Sequence, residues 1–163
     1  MKNKNALLFA VLAVFLAFFP ACKGKAGAGD LPQYPGATEL KSRESIVGDT
    51  LAQNMKQDAA LRQAMGAGGK FEQTGFKLPG EATWEKVKNF YDQELKTRGW
   101  ESGLGGAAGG LVDINAVMGA ANQGNDLFQT AIWSKGQQTL TLSLVTSPTD
   151  RKQRTLIVSL SSR

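Results

Sequence analysis

Apolar and polar side chains alternate strictly in the last third of the chain. In residues 137–147, "QQTLTLSLVTS", leucines occupy every second position and hydroxyl side chains lie between them. Residues 153–162, "QRTLIVSLSS", repeat the pattern, and residues 126–135, "DLFQTAIWSK", precede both. A period of two over this length predicts antiparallel strands that bury one face of a sheet and expose the other.

One helix is predicted to cover the buried face of that sheet. Within residues 83–98, apolar side chains recur at the spacing of one helix face, and Thr83 is a good N-cap. Gly99 can end this helix in the left-handed conformation, which places Trp100 against the last turn. The members of the apolar stripe are Trp84, Val87, Tyr91 and Leu95.

Weaker patterns predict three elements earlier in the chain. Residues 37–47 and 70–78 are predicted to be strands, the second with a bulge at Gly75. Residues 50–65 are predicted to form a helix that is capped by Thr50. The thin apolar stripe of this helix favours packing on the sheet over lying on a membrane. The expected fold class is α+β, an antiparallel sheet covered on one face by one main helix, with an inserted helix and a Gly/Ala-rich loop.

Residues 103–124 are a Gly- and Ala-rich insertion that is predicted to be flexible. The run "GLGGAA" at its start does not indicate a dinucleotide site, because no parallel βαβ unit surrounds it. A short apolar patch in the insertion is a candidate interaction surface that orders on a partner, and an insertion without a role is the alternative. The patch consists of Leu111, Ile114, Val117 and Met118.

The start of the chain has the pattern of an export signal. "MKNKN" is basic, and residues 6–19 are an apolar run of 14, too short for a bilayer span of roughly 20 residues. The run leads to "FPAC", in which Cys22 is the only cysteine of the chain. This arrangement resembles a bacterial lipoprotein signal, which implies acyl chains such as palmitate on Cys22 as a membrane anchor. An ordinary cleaved signal and an uncleaved anchor are the alternatives.

The resemblance to a lipoprotein signal divides the chain into three parts. Residues 1–21 are expected to be a signal peptide that is removed, residues 22–36 the lipidated cysteine with a flexible tether, and residues 37–163 a single domain. Lys23 follows the cysteine, where an aspartate typically retains lipoproteins in the inner membrane. For a host with two membranes, the resemblance therefore implies the outer membrane, with the domain facing the periplasm.

The lack of histidine and the single cysteine limit the chemistry of the chain. With Cys22 acylated, Cys/His metal sites, Ser-His-Asp triads and Cys-His pairs are excluded. Acidic pairs give no catalytic signal, since Asp92 and Glu94 are predicted to lie on the outward side of their helix. We therefore expect no enzyme activity, no cofactor and no metal site.

The net charge of +5 falls to +3 once Lys2 and Lys4 leave with the signal peptide. No stripe of cations interleaved with aromatic residues accompanies this charge, so nucleic acid is not an expected partner. Residues 150–154, "DRKQR", place cations at a predicted hairpin tip that is a candidate contact for anionic lipid or cell-wall phosphate. A solvated tip that blocks edge pairing is the simpler interpretation. The cations are Arg151, Lys152 and Arg154.

Three motifs follow one another in the first part of the domain: "YPGA" at residues 34–37, a strand ending at Leu78, and "V..FY...L...GW" from Val87 to Trp100. Together they resemble a recurrent domain of bacterial envelope lipoproteins. The resemblance covers residues 34–100 and implies a small α+β fold, generally without an assigned function. It transfers no functional residue to this chain.

We expect a lipid-anchored, non-enzymatic lipoprotein of the cell envelope that serves as an interaction or accessory module for an envelope protein partner. The alternative is a small-ligand or cell-wall-binding lipoprotein that uses a groove between helix and sheet. In that alternative Trp84, Trp100 and Trp133 are the candidate stacking groups, although tryptophans are as readily explained as core residues.

Overall fold

The computed structural model describes residues 27–66, 68–104 and 114–163. The strands there are β1 (Thr38–Glu39), β2 (Lys70–Lys77), β3 (Glu101–Ser102), β4 (Phe128–Lys135), β5 (Gln138–Thr146) and β6 (Arg154–Ser162). The α-helices are α1 (Ile46–Ala64), α2 (Trp84–Thr97) and α3 (Ile114–Asn122). The strands form one sheet in the order β1-β2-β6-β5-β4-β3, with all neighbours antiparallel. The α+β class predicted from the sequence is confirmed.

The alternating leucines of β5 and β6 form a buried face of the sheet, which we call the leucine face. Leu142 pairs with Val158 across the two strands, and both are at most 3% exposed. The helix α2 covers this face with Val87, Tyr91 and Leu95, each 0% exposed. The predicted covering helix is confirmed, and the core lies between it and the leucines.

Both predicted ends of α2 are confirmed. The Thr83 hydroxyl accepts a hydrogen bond from the Lys86 N–H at 3.3 Å. Gly99 has φ +76°, and the Trp100 N–H donates to the Leu95 carbonyl at 3.0 Å. These bonds satisfy backbone groups that a helix end otherwise leaves without partners, and they turn the buried Trp100 onto the core.

The helix α1 packs on the opposite face of the sheet, over β2. The predicted bulge at Gly75 is wrong, because β2 pairs with β6 in one uninterrupted register. Gly75 instead allows close approach, since a Cβ atom there would lie 2.8 Å from Leu51 Cδ1. Leu51 is 6% exposed, whereas Leu61 and Met65 near the other end of α1 are 60% and 71% exposed. The first turns of α1 therefore hold it to the sheet.

The strand predicted over residues 37–47 is mostly wrong. Only β1 is extended there, and α1 begins at Ile46, before the predicted cap at Thr50. Ser45 is the true N-cap, because its hydroxyl accepts the Gly48 N–H at 2.9 Å. A Cβ atom at Gly48 would collide with the backbone carbonyl oxygen of Lys41 in the preceding loop. A close backbone contact, which polar alternation does not reveal, therefore sets the start of the helix.

The folded domain begins by Ala28, so the predicted tether over residues 22–36 is too long. The Ala28 N–H donates to Glu72 Oε2 at 2.8 Å, and Arg98 Nη1 donates to the Asp30 carbonyl at 2.8 Å. Apolar side chains of "LPQYPG" also pack against the core. The prolines that indicated a boundary instead lie in a segment that belongs to the domain.

The predicted flexible insertion, residues 103–124, contains the helix α3. The short strand β3, which the sequence pattern did not predict, leads into the insertion and pairs with β4. The Gly103 N–H continues this pairing by donating to the Ile132 carbonyl at 2.8 Å. Residues 105–113 lie outside the described part of the chain.

Candidate functional site

The outward face of β4, β5 and β6 carries no charged side chain, and we call it the hydroxyl face. Its positions follow from strand alternation, because they take turns along each strand with the residues of the leucine face and pair with one another across neighbouring strands. They are Phe128, Thr130, Ile132 and Ser134 in β4, Thr139, Thr141, Ser143 and Val145 in β5, and Thr155, Ile157, Ser159 and Ser161 in β6. Hydroxyl groups that both donate and accept hydrogen bonds make up most of this surface.

The hydroxyl face is partly open to solvent. Apart from the buried Ser134, its side chains are half-buried or exposed. Phe128 and Val145 pair directly across β4 and β5, and they are 48% and 37% exposed. They form an apolar corner on a surface that is otherwise mainly hydroxyl groups.

Side chains protect both edges of the sheet next to the two-residue strands β1 and β3. Asn122 of α3 donates to the Thr130 carbonyl at 2.8 Å and accepts from the Thr130 N–H at 3.0 Å. At the opposite edge the Gln73 N–H donates to the Met55 sulfur at 3.1 Å. Because these edge groups are already bonded, pairing with a strand of another protein is disfavoured there.

A groove lies where α2, α3 and β4 meet, and we call it the Trp84 groove. Trp84 and Gln129 line two adjoining depressions in it, of about 230 and 280 Å³. Lys88 and Gln123 belong to the first depression, and Arg154 belongs to the second. Trp84 is half-buried and packs against the edge of the core.

The other two candidate stacking groups are core residues. Trp100 and Trp133 are 4% and 2% exposed. The Trp133 indole donates to Asp92 Oδ1 at 3.0 Å, and Asp92 also forms an ion pair with Lys88 at 2.6 Å. The predicted outward position of Asp92 is therefore wrong, because its carboxylate turns towards the sheet to reach Trp133.

Two of the three cations in the predicted basic hairpin tip, residues 150–154, bond to other parts of the domain. Arg151 forms an ion pair with Asp126 at 3.1 Å. Arg154, which is half-buried, donates to the Gly80 carbonyl at 2.9 Å. These bonds favour a structural role for two of the three cations, and Lys152 is exposed beside them.

Two other predicted sites lie wholly or partly outside the described residues. Cys22 is one, and Leu111 of the apolar patch is the other. Of the remaining patch residues, Ile114 begins α3, Val117 is 52% exposed, and Met118 is half-buried. Of the two patch residues whose side chains the structure describes, Val117 is the more exposed.

The titratable groups with shifted pKa values lie away from both candidate surfaces. Burial raises the pKa of Tyr91, and the nearby backbone of Tyr34 offsets this only in part. The Tyr91 hydroxyl has no hydrogen bond of good geometry. The Lys70 ammonium is the main cause that lowers the pKa of Glu72, with help from the Ala28 N–H. Both shifts follow from packing and ion pairing within the domain.

Within residues 27–66, 68–104 and 114–163, no cluster of three or more acidic, cysteine or histidine side chains is placed to hold a metal ion. In the same ranges, no helix has both the length and the apolar character needed to cross a membrane. Comparison of the chain with protein-family models, curated proteins and solved structures finds no match.

Proposed function

We propose that the protein is a lipid-anchored lipoprotein of the bacterial cell envelope whose α+β domain is a non-enzymatic interaction module. The observation that supports this function is the hydroxyl face. Charged residues make up 20% of the chain, yet none lies on the outward positions of three adjacent strands. Depletion of charge distinguishes the centre of a protein interface from the rest of a protein surface.

The chemistry of the hydroxyl face fits an envelope protein with an uncharged polar surface. Its serine and threonine rows can donate to and accept from amide and carbonyl groups without removing a charge from water. The exposed pair Phe128 and Val145 adds apolar area at one corner, as the anchor of an interface does. A face of this kind binds through shape and many weak hydrogen bonds.

The proposed anchor keeps the domain close to its membrane. The motifs around Cys22 support lipidation, and the resemblance to envelope lipoproteins supports an outer-membrane location that faces the periplasm. Because the domain begins by Ala28, the chain between these two residues spans no more than about 20 Å when fully extended. A partner of the hydroxyl face is therefore expected at the same membrane surface.

Site-specific photo-crosslinking in the intact envelope tests this function. We expect a photoreactive residue at Ser143, on the hydroxyl face, to give one discrete crosslinked product in the full-length protein. The same residue at Gln93, an exposed position on α2, is the matched control and is expected to give none. If both positions react alike, or if neither reacts, the hydroxyl face is not an interface.

Lipidation has its own test, because it concerns a different part of the chain. A radiolabelled fatty acid is expected to label the wild-type protein and not the Cys22→Ser variant. Equal labelling of the two proteins would contradict anchoring through this sulfur.

Binding of a small or cell-wall ligand in the Trp84 groove is a second candidate function. The observation that favours it is the half-buried indole of Trp84, which lines both depressions of the groove. Ligand sites commonly combine such an apolar surface with a few polar side chains.

A further inference from the structure

The Trp84 groove presents one flat apolar surface among polar side chains. Trp84 lines both depressions of the groove, and so does Gln129. Trp100 and Trp133 are buried elsewhere, so Trp84 supplies the aromatic surface of this groove. A ligand that occupies both depressions therefore contacts Trp84 in each of them.

The polar lining of the groove favours an uncharged ligand. The amide side chains of Gln123 and Gln129 can each donate and accept hydrogen bonds. One depression has Lys88, which is already paired with a carboxylate at 2.6 Å. The other has Arg154 together with the carboxylates of Glu85 and Asp126. Asp126 is also paired with Arg151 at 3.1 Å. With these partners counted, three cations and three carboxylates are balanced at the groove, and neither an anion nor a cation meets an excess of opposite charge.

We propose that the Trp84 groove binds a neutral oligosaccharide, an inference that rests on the second candidate function above. A pyranose ring has a flat C–H surface that packs on an indole, and hydroxyl groups at its rim that bond to amides. In this arrangement one sugar ring lies on Trp84, its hydroxyl groups contact Gln129, and its neighbours enter the two depressions. Envelopes contain such chains in the cell-wall glycan and in neutral surface polysaccharides, and the two sources share this chemistry.

The position of the groove in the domain suits a ligand of this kind. Trp84 begins α2, whereas Arg98, just beyond the end of α2, holds the first described residues through the Asp30 carbonyl. A helix of 14 residues is about 21 Å long. The groove and the first described residues therefore lie at opposite ends of α2, an arrangement in which an anchor before Ala28 leaves the groove open to a polymer.

Nuclear magnetic resonance of the full-length protein tests the proposal, in micelles of a detergent without a sugar headgroup. The chain has three tryptophans, each with one indole N–H signal. We expect titration with chitotriose, a neutral cell-wall-type sugar, or with maltotriose, a neutral hexose chain, to shift the Trp84 signal. The Trp100 indole, which is 4% exposed and lies beyond the other end of α2, serves as the internal reference, and its signal is expected to stay in place. The sugar that shifts the signal identifies the source.

Three variants separate binding from folding. Gln129→Ala and Trp84→Phe are each expected to weaken binding about 3- to 10-fold, from the loss of hydrogen bonds and of indole area. Gln93→Ala, on an exposed part of α2, is the control and is expected to bind as the wild type does. Isothermal titration calorimetry measures the binding of all three variants, because Trp84→Phe lacks the Trp84 signal. The Trp133 signal shows that each variant is folded.

The oligosaccharide proposal is overturned if neither sugar moves the Trp84 signal, or if Gln129→Ala binds as tightly as the wild type. A positive crosslink from Ser143 together with no sugar binding would refute the oligosaccharide and leave the interaction module in place. Sugar binding without that crosslink would refute the interaction module and leave the oligosaccharide proposal in place.

Discussion

The two faces of the sheet are built from the same strands and differ in almost every physical respect. On the leucine face, Leu140, Leu142 and Leu144 are at most 1% exposed beneath α2. On the hydroxyl face, the alternate residues Thr139, Thr141 and Ser143 keep part of their surface in water. One face therefore supplies the apolar burial that drives folding, and the other is the surface that we propose for binding. The absence of charge on the second face is then a property that folding does not require.

The largest effect expected from this comparison is a difference between two neighbouring positions of β5. Leu142→Ala leaves a cavity beneath α2 and is expected to lower the free energy of unfolding by about 2–5 kcal/mol. Thr141→Ala, one residue away on the hydroxyl face, is expected to lower it by less than about 1 kcal/mol. Urea denaturation followed by circular dichroism measures both values. Similar losses at the two positions would show that the hydroxyl face is also a structural core.

A smaller difference in stability is expected between two positions on the same side of the sheet as the hydroxyl face. Gly75 of β2 lies under α1, and Ser143 of β5 is not covered by that helix. Gly75→Val places a branched side chain where even a Cβ atom would lie 2.8 Å from Leu51 Cδ1. It is expected to cost about 1–3 kcal/mol of unfolding free energy through overpacking. Ser143→Val introduces the same side chain on the hydroxyl face, and it is expected to leave the free energy of unfolding unchanged or to raise it slightly, since valine favours strands.

Thermal denaturation of the two valine variants makes this comparison. An equal loss of stability for Ser143→Val would mean that the hydroxyl face around Ser143 is packed as tightly as the surroundings of Gly75. No loss for Gly75→Val would mean that α1 does not hold its place over β2.

The smallest effect concerns a buried polar group on the leucine side. The Tyr91 hydroxyl is buried without a hydrogen bond of good geometry, so Tyr91→Phe is expected to raise the free energy of unfolding by about 1 kcal/mol at pH 7. Burial raises the pKa of Tyr91 above its usual value near 10. The wild type therefore loses stability as the pH rises above about 10, whereas the variant lacks this loss.

Tyr34→Phe is the control, since Tyr34 is half-buried and its ring contacts Phe90 edge-on. Unfolding measured at pH 7 and pH 10.5 distinguishes the two variants. A destabilised Tyr91→Phe protein would show that the hydroxyl has a partner that matters.

The strong local patterns predicted the sheet and its cover. Strict alternation over β5 and β6 revealed the buried face, because a buried leucine every second residue needs no knowledge of distant contacts. The helix α2 was predicted with both ends because Thr83 and Gly99 act on backbone groups within a few residues of themselves.

The features that the sequence did not predict depend on contacts between distant segments. Gly48 and Gly75 are required by the close approach of α1 to a loop and to β2, and a pattern of polarity shows neither contact. The domain begins earlier than the predicted residue 37 because Ala28 bonds to Glu72, which is far from it in the chain. The Trp84 groove likewise forms only when α2, α3 and β4 meet.

The most direct test of the interaction module is a single charge placed on the hydroxyl face. Thr141→Lys changes a half-buried surface position, so the free energy of unfolding is expected to change by less than about 1 kcal/mol. The crosslink from Ser143, measured in the same full-length protein in the envelope, is expected to disappear because the charge loses its water on binding. A stable Thr141→Lys protein that still forms the crosslink would contradict the assignment of this face as the binding surface.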